Sequence, residues 1–297
     1  RGTGGIEDGV RDVRFALRGL RRTPGFTAAA LGTLALGIGA TAAVHSVVDQ
    51  VVFAPLPYAQ PHELVAIWHT DAARGIEQGT TSWPNFRDWR AESTAFQGMA
   101  TVVPGRRTLI GAGDPVEVQV VSVSRGFFDV MGVPPALGRS FRSEEVEGEV
   151  ARAAVLSHGL FTARFGGDPA VVGRSVVLDG ESFEVVGVAA PGAEYPRTAD
   201  LWIPQAFGTG RQWRDPRHRL WLGVVGRLAD GVDVERGQAD LDAVAARLER
   251  AHPDTNAGVG VRVEPLSDAL VGDLRAPFRM LLGAVLVVLA LAVVNGG

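Results

Sequence analysis

No lysine and no cysteine occur in this chain of 297 residues, so all 29 basic residues are arginine. Complete use of arginine is most simply a high-GC coding bias, but it still excludes chemistry. A Walker A phosphate loop needs a lysine on the nucleotide phosphates, and a Schiff-base enzyme needs a side-chain amine. The lack of cysteine removes disulfides, cysteine-ligated zinc and thiol catalysis. Catalytic signatures are also missing. There is no His-Glu-x-x-His run and no Gly-x-Ser-x-Gly elbow, so neither a helical zinc site nor a serine nucleophile is expected.

Charge is absent over one long stretch. Residues 26–48 contain no Asp, Glu or Arg. At roughly 1.5 Å per helical residue, a run of this length crosses a hydrocarbon core of roughly 30 Å. It follows directly on Arg11, Arg14, Arg18, Arg21 and Arg22. Residues 1–22 carry six Arg against Glu7, Asp8 and Asp12, a net +3, whereas residues 49–275 carry 22 Arg against 30 acids, a net −8. The positive-inside tendency therefore places the N-terminus in the cytoplasm and the acidic bulk outside. An acidic bulk also argues against nucleic acid as a partner. Val10, Val13, Leu17 and Leu20 form one apolar face over residues 10–22, with the arginines facing membrane lipid, as in an interfacial helix. Pro24-Gly25 ends it.

A cleaved signal peptide is the alternative for this end, but signal h-regions are about 7–15 residues long. A second apolar segment, Met280 to Val294, closes the chain after Arg279. It is short for a full span, so the sequence reads as a fragment cut within or near a second membrane helix. Within the first run, Ala29, Thr33, Gly37 and Thr41 recur at every fourth position. Such a stripe lets a partner helix approach closely, although an Ala- and Gly-rich composition produces the same pattern. The expected organisation is an interfacial helix at 1–24, a first membrane helix at 25–52, an extracytoplasmic domain at 53–274 and a truncated second membrane helix at 275–297.

Between the apolar ends, strand and helix signals alternate. Leu64 to Trp68 reads as a strand. Ser82-Trp83-Pro84 opens a helix with Ser82 as its cap. Val116, Val118 and Val120 alternate with polar residues. Asp179-Gly180 is a hairpin turn between Val176–Leu178 and Phe183–Val188. Leu220 to Leu228 reads as a strand, followed by a helix capped by Asp233 with Leu241, Val244, Ala245 and Leu248 on one face, and stopped by Pro253. Val259, Val261 and Val263 alternate as a last strand. These elements predict an α+β domain of two strand–helix–strand units side by side, with a strand-rich insertion at about 105–215.

The search for a site returns little. His45, His62, His69, His158, His218 and His252 are scattered without ligand spacing on one helix. Ser157-His158 is adjacent, which does not suit a nucleophile and its base, and reads as a strand end. Glu144, Glu145, Glu147 and Glu149 cluster near Gly148 but lack the alternating ligands of a calcium loop, so a solvated loop is the expectation. Trp83, Trp89, Trp202, Trp213 and Trp221 are expected in core or rim packing. No catalytic, cofactor or metal residue is assigned.

Several separated motifs resemble, in order, the ABC transporter permeases of the MacB/FtsX-like class, and within it the acidobacterial duplicated orphan permeases. They are Arg14-Phe15-Ala16-Leu17-Arg18, Pro24-Gly25-Phe26-Thr27, Leu34 to Ala40, Pro55-Leu56-Pro57-Tyr58, Phe127 to Val133, Gly138-Arg139, Arg164 to Pro169, Val172-Gly173-Arg174, Asp179-Gly180-Glu181, Ala199 to Pro204 and Leu266 to Gly272. The resemblance implies a non-catalytic permease subunit of the bacterial inner membrane. It implies dimerisation with a second permease copy, a separate ATPase subunit as partner, and a porter-like external domain with a strand-rich insert. The class leaves room for a periplasmic or outer-membrane partner. The work implied is efflux or lipoprotein handling by mechanotransmission. A two-helix membrane sensor shares the topology and is the rival from another class; a secreted hydrolase behind a signal anchor is a third reading.

Overall fold

The computed structural model describes residues 57–111, 113–142, 152–205 and 217–270, together with single positions at Gly25, Gly39, Glu145, Met280, Gly283 and Val287. The chain divides into two units, residues 1–54 with 270–297, and residues 55–269. The single described positions of the first unit are helical. The arginine cluster and the stripe of Ala29, Thr33, Gly37 and Thr41 lie outside the described residues. Among the described residues no helix is long and apolar enough to cross a membrane.

The second unit is a mixed α+β domain on one 11-stranded sheet. Its first part is built from β1 (Leu64–Asp71), α1 (Trp83–Glu92), β3 (Phe96–Ile110), β10 (Gly223–Leu228), α4 (Val234–Ala251) and β11 (Val259–Pro265). Strand β10 is antiparallel to both β1 and β3, and β1 is antiparallel to both β10 and β11. The strand order is therefore β11-β1-β10-β3. The two strand–helix–strand units are interleaved, not side by side as the sequence pattern suggests. Each helical crossover leaves a gap one strand wide, and the other unit's strand fills it, giving the split β-α-β arrangement. A short strand β2 (Ile76–Gly79) extends this sheet beside β1.

Local chemistry sets the helices. Ser82 Oγ accepts from the Asn85 amide and Asp233 from the Arg236 amide at 2.8 Å, which satisfies first-turn donors of α1 and α4. Leu241, Val244, Ala245 and Leu248 of α4 pack onto Val65, Ile67, Phe86, Trp89, Val224, Val261 and Val263. Pro253 ends α4, as its sequence suggests, but then starts a further short helix, α5 (Pro253–Asn256). The outer edge of β11 is covered as well. The Gln238 amide of α4 donates to the Val261 carbonyl at 2.8 Å and accepts from the Val263 N–H at 2.7 Å, which takes up edge groups open to a foreign strand.

The second part comprises β4 (Val116–Val123), β6 (Ala153–Leu156), β7 (Ser175–Leu178), β8 (Glu181–Val188) and β9 (Leu201–Pro204), with β5 (Leu137–Gly138) on β8 and two helices, α2 (Phe127–Met131) and α3 (His158–Phe165). Strand pairs run β3-β4-β9-β6-β8-β7 and return to β3. The path closes into a six-stranded ring. Alternate residues point inward, with Val118 and Val120, Ala154 and Leu156, Val176 and Leu178, and Leu201 and Ile203 in one core beside Leu109 and Phe161. Ser157 ends β6 and caps α3, accepting from Leu160 N at 3.1 Å, so the Ser157-His158 pair is a strand-to-helix junction. Strand β3 runs through residue 105 without a break and belongs to both parts.

Ring closure depends on the Asp179-Gly180 turn. Asp179 has φ 49°, and its N–H donates to the Thr108 carbonyl at 3.0 Å while its carboxylate accepts from the Thr108 N–H at 2.8 Å. Asp179→Ala removes that acceptor and places alanine in a left-handed conformation, so a loss of about 1–2 kcal/mol is expected in urea unfolding. Asp179→Asn keeps an acceptor and tolerates the backbone, and should recover most of it. Equal losses for the two variants would contradict this role.

Candidate functional site

A charged side chain with four hydrogen bonds is buried where the chain enters the domain. Residues 57–60 lead into a 3-10 turn, Pro61–Glu63, and then into β1. Arg227, next to the last residue of β10, is 5% exposed and Glu63 is 6% exposed. Arg227 Nη1 meets Glu63 Oε2 at 2.9 Å. The remaining donors reach backbone: Nε to the Val130 carbonyl at 2.8 Å, Nη2 to the Ala59 carbonyl at 2.8 Å and Nη1 to the Gln60 carbonyl at 3.4 Å. One guanidinium thus joins the entry segment, β10 and α2. Breaking a buried pair of this kind by removing one partner costs about 3–5 kcal/mol.

The backbone is shaped around this latch. Gln60 has φ 44°, a left-handed conformation that costs a non-glycine residue about 1–2 kcal/mol and persists only where its surroundings impose it. Gly132 (φ 67°) ends α2, and a Cβ there would lie 2.7 Å from Arg227 Nη2 and 2.9 Å from the Ala59 Cβ. Only glycine fits both the turn and the close approach.

A second anchor ties the same segment to the ring. Buried Tyr58 donates its hydroxyl to the Glu194 carbonyl at 3.1 Å. Burial, followed by the neighbouring Tyr195, pushes the Tyr58 phenol well above the ordinary tyrosine range. Burial alone raises Tyr195 to about 12. The Tyr195 carbonyl accepts from Trp202 Nε1 at 3.0 Å, and Trp202 meets Phe128 of α2 edge-on with ring centroids 5.8 Å apart. Entry segment, α2 and ring core therefore form one connected set.

Three further polar groups lie in the first part. Arg217 is paired with Asp88 and donates to Asn85 at 2.7 Å; its Nη2 lies 3.0 Å from His252 Nε2, and Asn85 also accepts from Asn256 at 3.2 Å. His69 on β1 is 2% exposed, with no partner for either ring nitrogen among the described residues. Asp240 accepts from Ser93 Oγ, from Thr94 N at 3.0 Å and from Ala95 N at 3.3 Å, joining α4 to the connection between α1 and β3. Burial pushes its carboxyl up, but these hydrogen bonds outweigh it and hold it below the usual range.

The residues singled out in the sequence are dispersed. His62 and His218 are exposed, and His158 is half-buried at the start of α3. His45, Glu144, Glu147, Glu149 and Trp213 lie outside the described residues. Glu145 forms a two-point pair with Arg139 at 2.7 and 2.9 Å. That pairing, above all, lowers its pKa. Trp89 and Trp202 are core residues, and Trp83 and Trp221 flank the first core. No group of three or more metal-ligating side chains occurs among the described residues. Sequence reasoning missed Arg227 and Glu63. The available signal was an arginine inside the apolar strand Gly223–Leu228.

The domain is thus an interleaved β-α-β sheet that shares strand β3 with a small closed ring and is latched at its chain entry. Residues 27–244 match the MacB-like periplasmic core domain family. The chain belongs to that family, whose members carry this domain in MacB-like ABC transporter permeases. No curated protein sequence matches. Among solved structures, the periplasmic region of MacB from Actinobacillus actinomycetemcomitans superposes with a TM-score of 0.52 at 14% identity, covering 71% of this chain and 92% of that one. The extracellular domain of the noncanonic ABC-type transporter YknZ from Gram-positive bacteria gives 0.50 at 13% identity, covering 68% and 99%. A domain of a permease-like protein from Porphyromonas gingivalis gives 0.52 at 15% identity, covering 70% and 93%. These likenesses show the shared fold.

His69 makes stability depend on pH. Burial, with help from Arg74, pushes its imidazole below the usual histidine range, against the pull of Asp71. The unfolded chain takes up a proton near the ordinary value of about 6.5 and the folded chain only at lower pH. Folding stability therefore falls as pH drops through about 6.5 and levels off once the folded imidazole is also protonated. Urea unfolding of wild type and His69→Leu between pH 7.5 and 5 should show a shallower decline in the variant. Parallel curves would rule this contribution out. Glu145 and Asp240, with lowered carboxyl pKa values, act in a separate, more acidic window.

Proposed function

We propose that this chain is the permease component of an ABC-type machine in a bacterial inner membrane, with residues 53–274 outside the cytoplasm. ATP hydrolysis on a separate subunit moves the membrane segments, and that motion passes into the external domain. The carrying observation is the double anchorage of residues 58–63. A segment leaving a membrane helix transmits force only if it is fixed to the body it moves. Here Arg227 fixes it to β10 and α2, and Tyr58 fixes it to the loop before β9. The family match supports the transporter reading over a two-helix sensor. A second permease copy completes the expected assembly, with the stripe of Ala29, Thr33, Gly37 and Thr41 as its packing face and the N-terminal arginines at the lipid surface. Efflux and lipoprotein handling are the two classes of work this mechanotransmission would serve.

The absence of native cysteine makes the topology directly testable. A single cysteine replacing exposed Glu235 should react with a membrane-impermeant maleimide in spheroplasts, whereas one replacing Arg14 should react only after lysis. The reverse pattern would overturn the orientation. The same cells should yield the chain in a stoichiometric complex with an ABC ATPase subunit. Purification with a histidine kinase or a chemotaxis adaptor instead would move the chain to the sensor class.

A further inference from the structure

Arginine offers N–H donors and no acceptor, and it stays charged at any pH a folded protein meets. That fixes the chemistry where Arg217 meets the first part of the domain. Its Nη1 donates to Asn85 Oδ1 at 2.7 Å and its Nη2 to Asp88 Oδ2, both on α1. The same Nη2 lies 3.0 Å from His252 Nε2. Because the guanidinium can only donate, Nε2 must present its lone pair, and the ring proton sits on Nδ1. The contact is shielded from water: the Arg217 and Asp88 side chains are 13% and 17% exposed. Asn85 and Asn256, hydrogen-bonded to each other at 3.2 Å, are buried beside it.

His252 stands at a corner. It caps the C-terminus of α4, its N–H bonded to the Leu248 carbonyl, and it leads into α5. Its contact with Arg217 therefore ties this corner to α1. Two influences favour a proton on His252: the Asp88 carboxylate, on the other side of Arg217 Nη2, and the negative end of the α4 dipole. The remaining charges nearby are engaged or exposed. The second Asp88 oxygen faces Arg87 at 3.6 Å, and Glu249 accepts from the Gly258 amide at 2.9 Å. Arg250, Asp254, His218 and Arg219 are exposed. A proton and Arg217 thus compete for one lone pair. Imidazolium would set a donor against a donor, two cations about 3 Å apart. Histidine is the side chain whose charge changes between about pH 5 and 8.

We propose that Arg217 and His252 form a proton-operated clasp. It is fastened while His252 is neutral, and proton uptake at Nε2 opens it, freeing the α4–α5 corner from α1. Asn85 and Asp88 keep Arg217 on α1 in the open state, so the sheet beneath stays intact. The chemistry of the clasp does not depend on the coupling reading; that reading only makes the external pH the one it senses.

NMR of the full chain in nanodiscs, with ¹⁵N in the histidine rings, reads the imidazole directly, and loss of a signal in His252→Gln assigns it. At about pH 8 the His252 ring should carry its lone pair on Nε2 and its proton on Nδ1, and Arg217→Gln should abolish that preference. Opening is read from exchange of the Asn256 amide, which bonds to the His252 carbonyl at 2.8 Å. Corrected for the intrinsic effect of pH, its protection should fall about tenfold or more between about pH 8 and 5, as for the loss of one hydrogen bond to a charged group. In His252→Gln, whose side-chain carbonyl accepts at any pH, protection should hold across the range; in His252→Arg it should be low throughout. The Leu222 amide, bonded to the Thr81 carbonyl at 3.0 Å, should stay protected at both ends of the range. Three results would overturn the proposal: a proton on Nε2 at the alkaline end, wild-type protection that survives acidification because the imidazolium turns to Asp88, or an equal fall in His252→Gln, which would transfer the effect to His69.

Discussion

The Arg227–Glu63 pair decides how the entry of the chain is held. A guanidinium and a carboxylate taken out of water lose hydration worth several kcal/mol each, and their attraction offsets this only when the geometry is good and the remaining donors find acceptors. Here they do: three backbone carbonyls, from Ala59, Gln60 and Val130, complete the set. The left-handed Gln60, whose carbonyl accepts from Arg227, and the glycine at 132, where a Cβ would meet the guanidinium, both fit the backbone around this one side chain. The same pair turns residues 58–63 from a connector into a structural part of the domain.

The two parts of the domain are not independent bodies joined by a linker. Strand β3 pairs with β10 in its first half and with β4 and β7 in its second, so a displacement of one sheet region is carried by continuous backbone hydrogen bonds into the other. Phe128 and Trp202 add a packed contact between α2 and the ring. Close packing allows few intermediate arrangements, so this body is suited to moving as a piece.

Much of the local structure was legible in the sequence. Period-four apolar spacing identified α4, alternation identified β4 and β11, and Asp179-Gly180 marked its hairpin. Ser82 and Asp233 are caps whose hydroxyl and carboxylate do what their side chains allow. The family motifs also led to the right domain. What stayed hidden depends on distance along the chain. Glu63 and Arg227 are 164 residues apart, and Tyr58 and Glu194 are 136 apart. Interleaving of the two β-α-β units and closure of the ring are choices of strand neighbour, and hydrophobic period says which face is buried but not which strand lies alongside. The buried arginine was visible only as a charge in an apolar strand, with its partner unspecified.

Amide hydrogen exchange on the full chain in nanodiscs tests the latch most directly. The Glu63 and Leu64 amides, bonded to the Gln60 and Pro61 carbonyls, report on the entry turn. The account predicts that in the wild type they exchange as slowly as the amides of β3, and that Arg227→Gln releases them while β4 and β8 stay protected. Fast exchange at Glu63 and Leu64 in the wild type, or protection indifferent to the loss of Arg227, would mean that the chain enters the domain through a loose tether and that the latch transmits nothing.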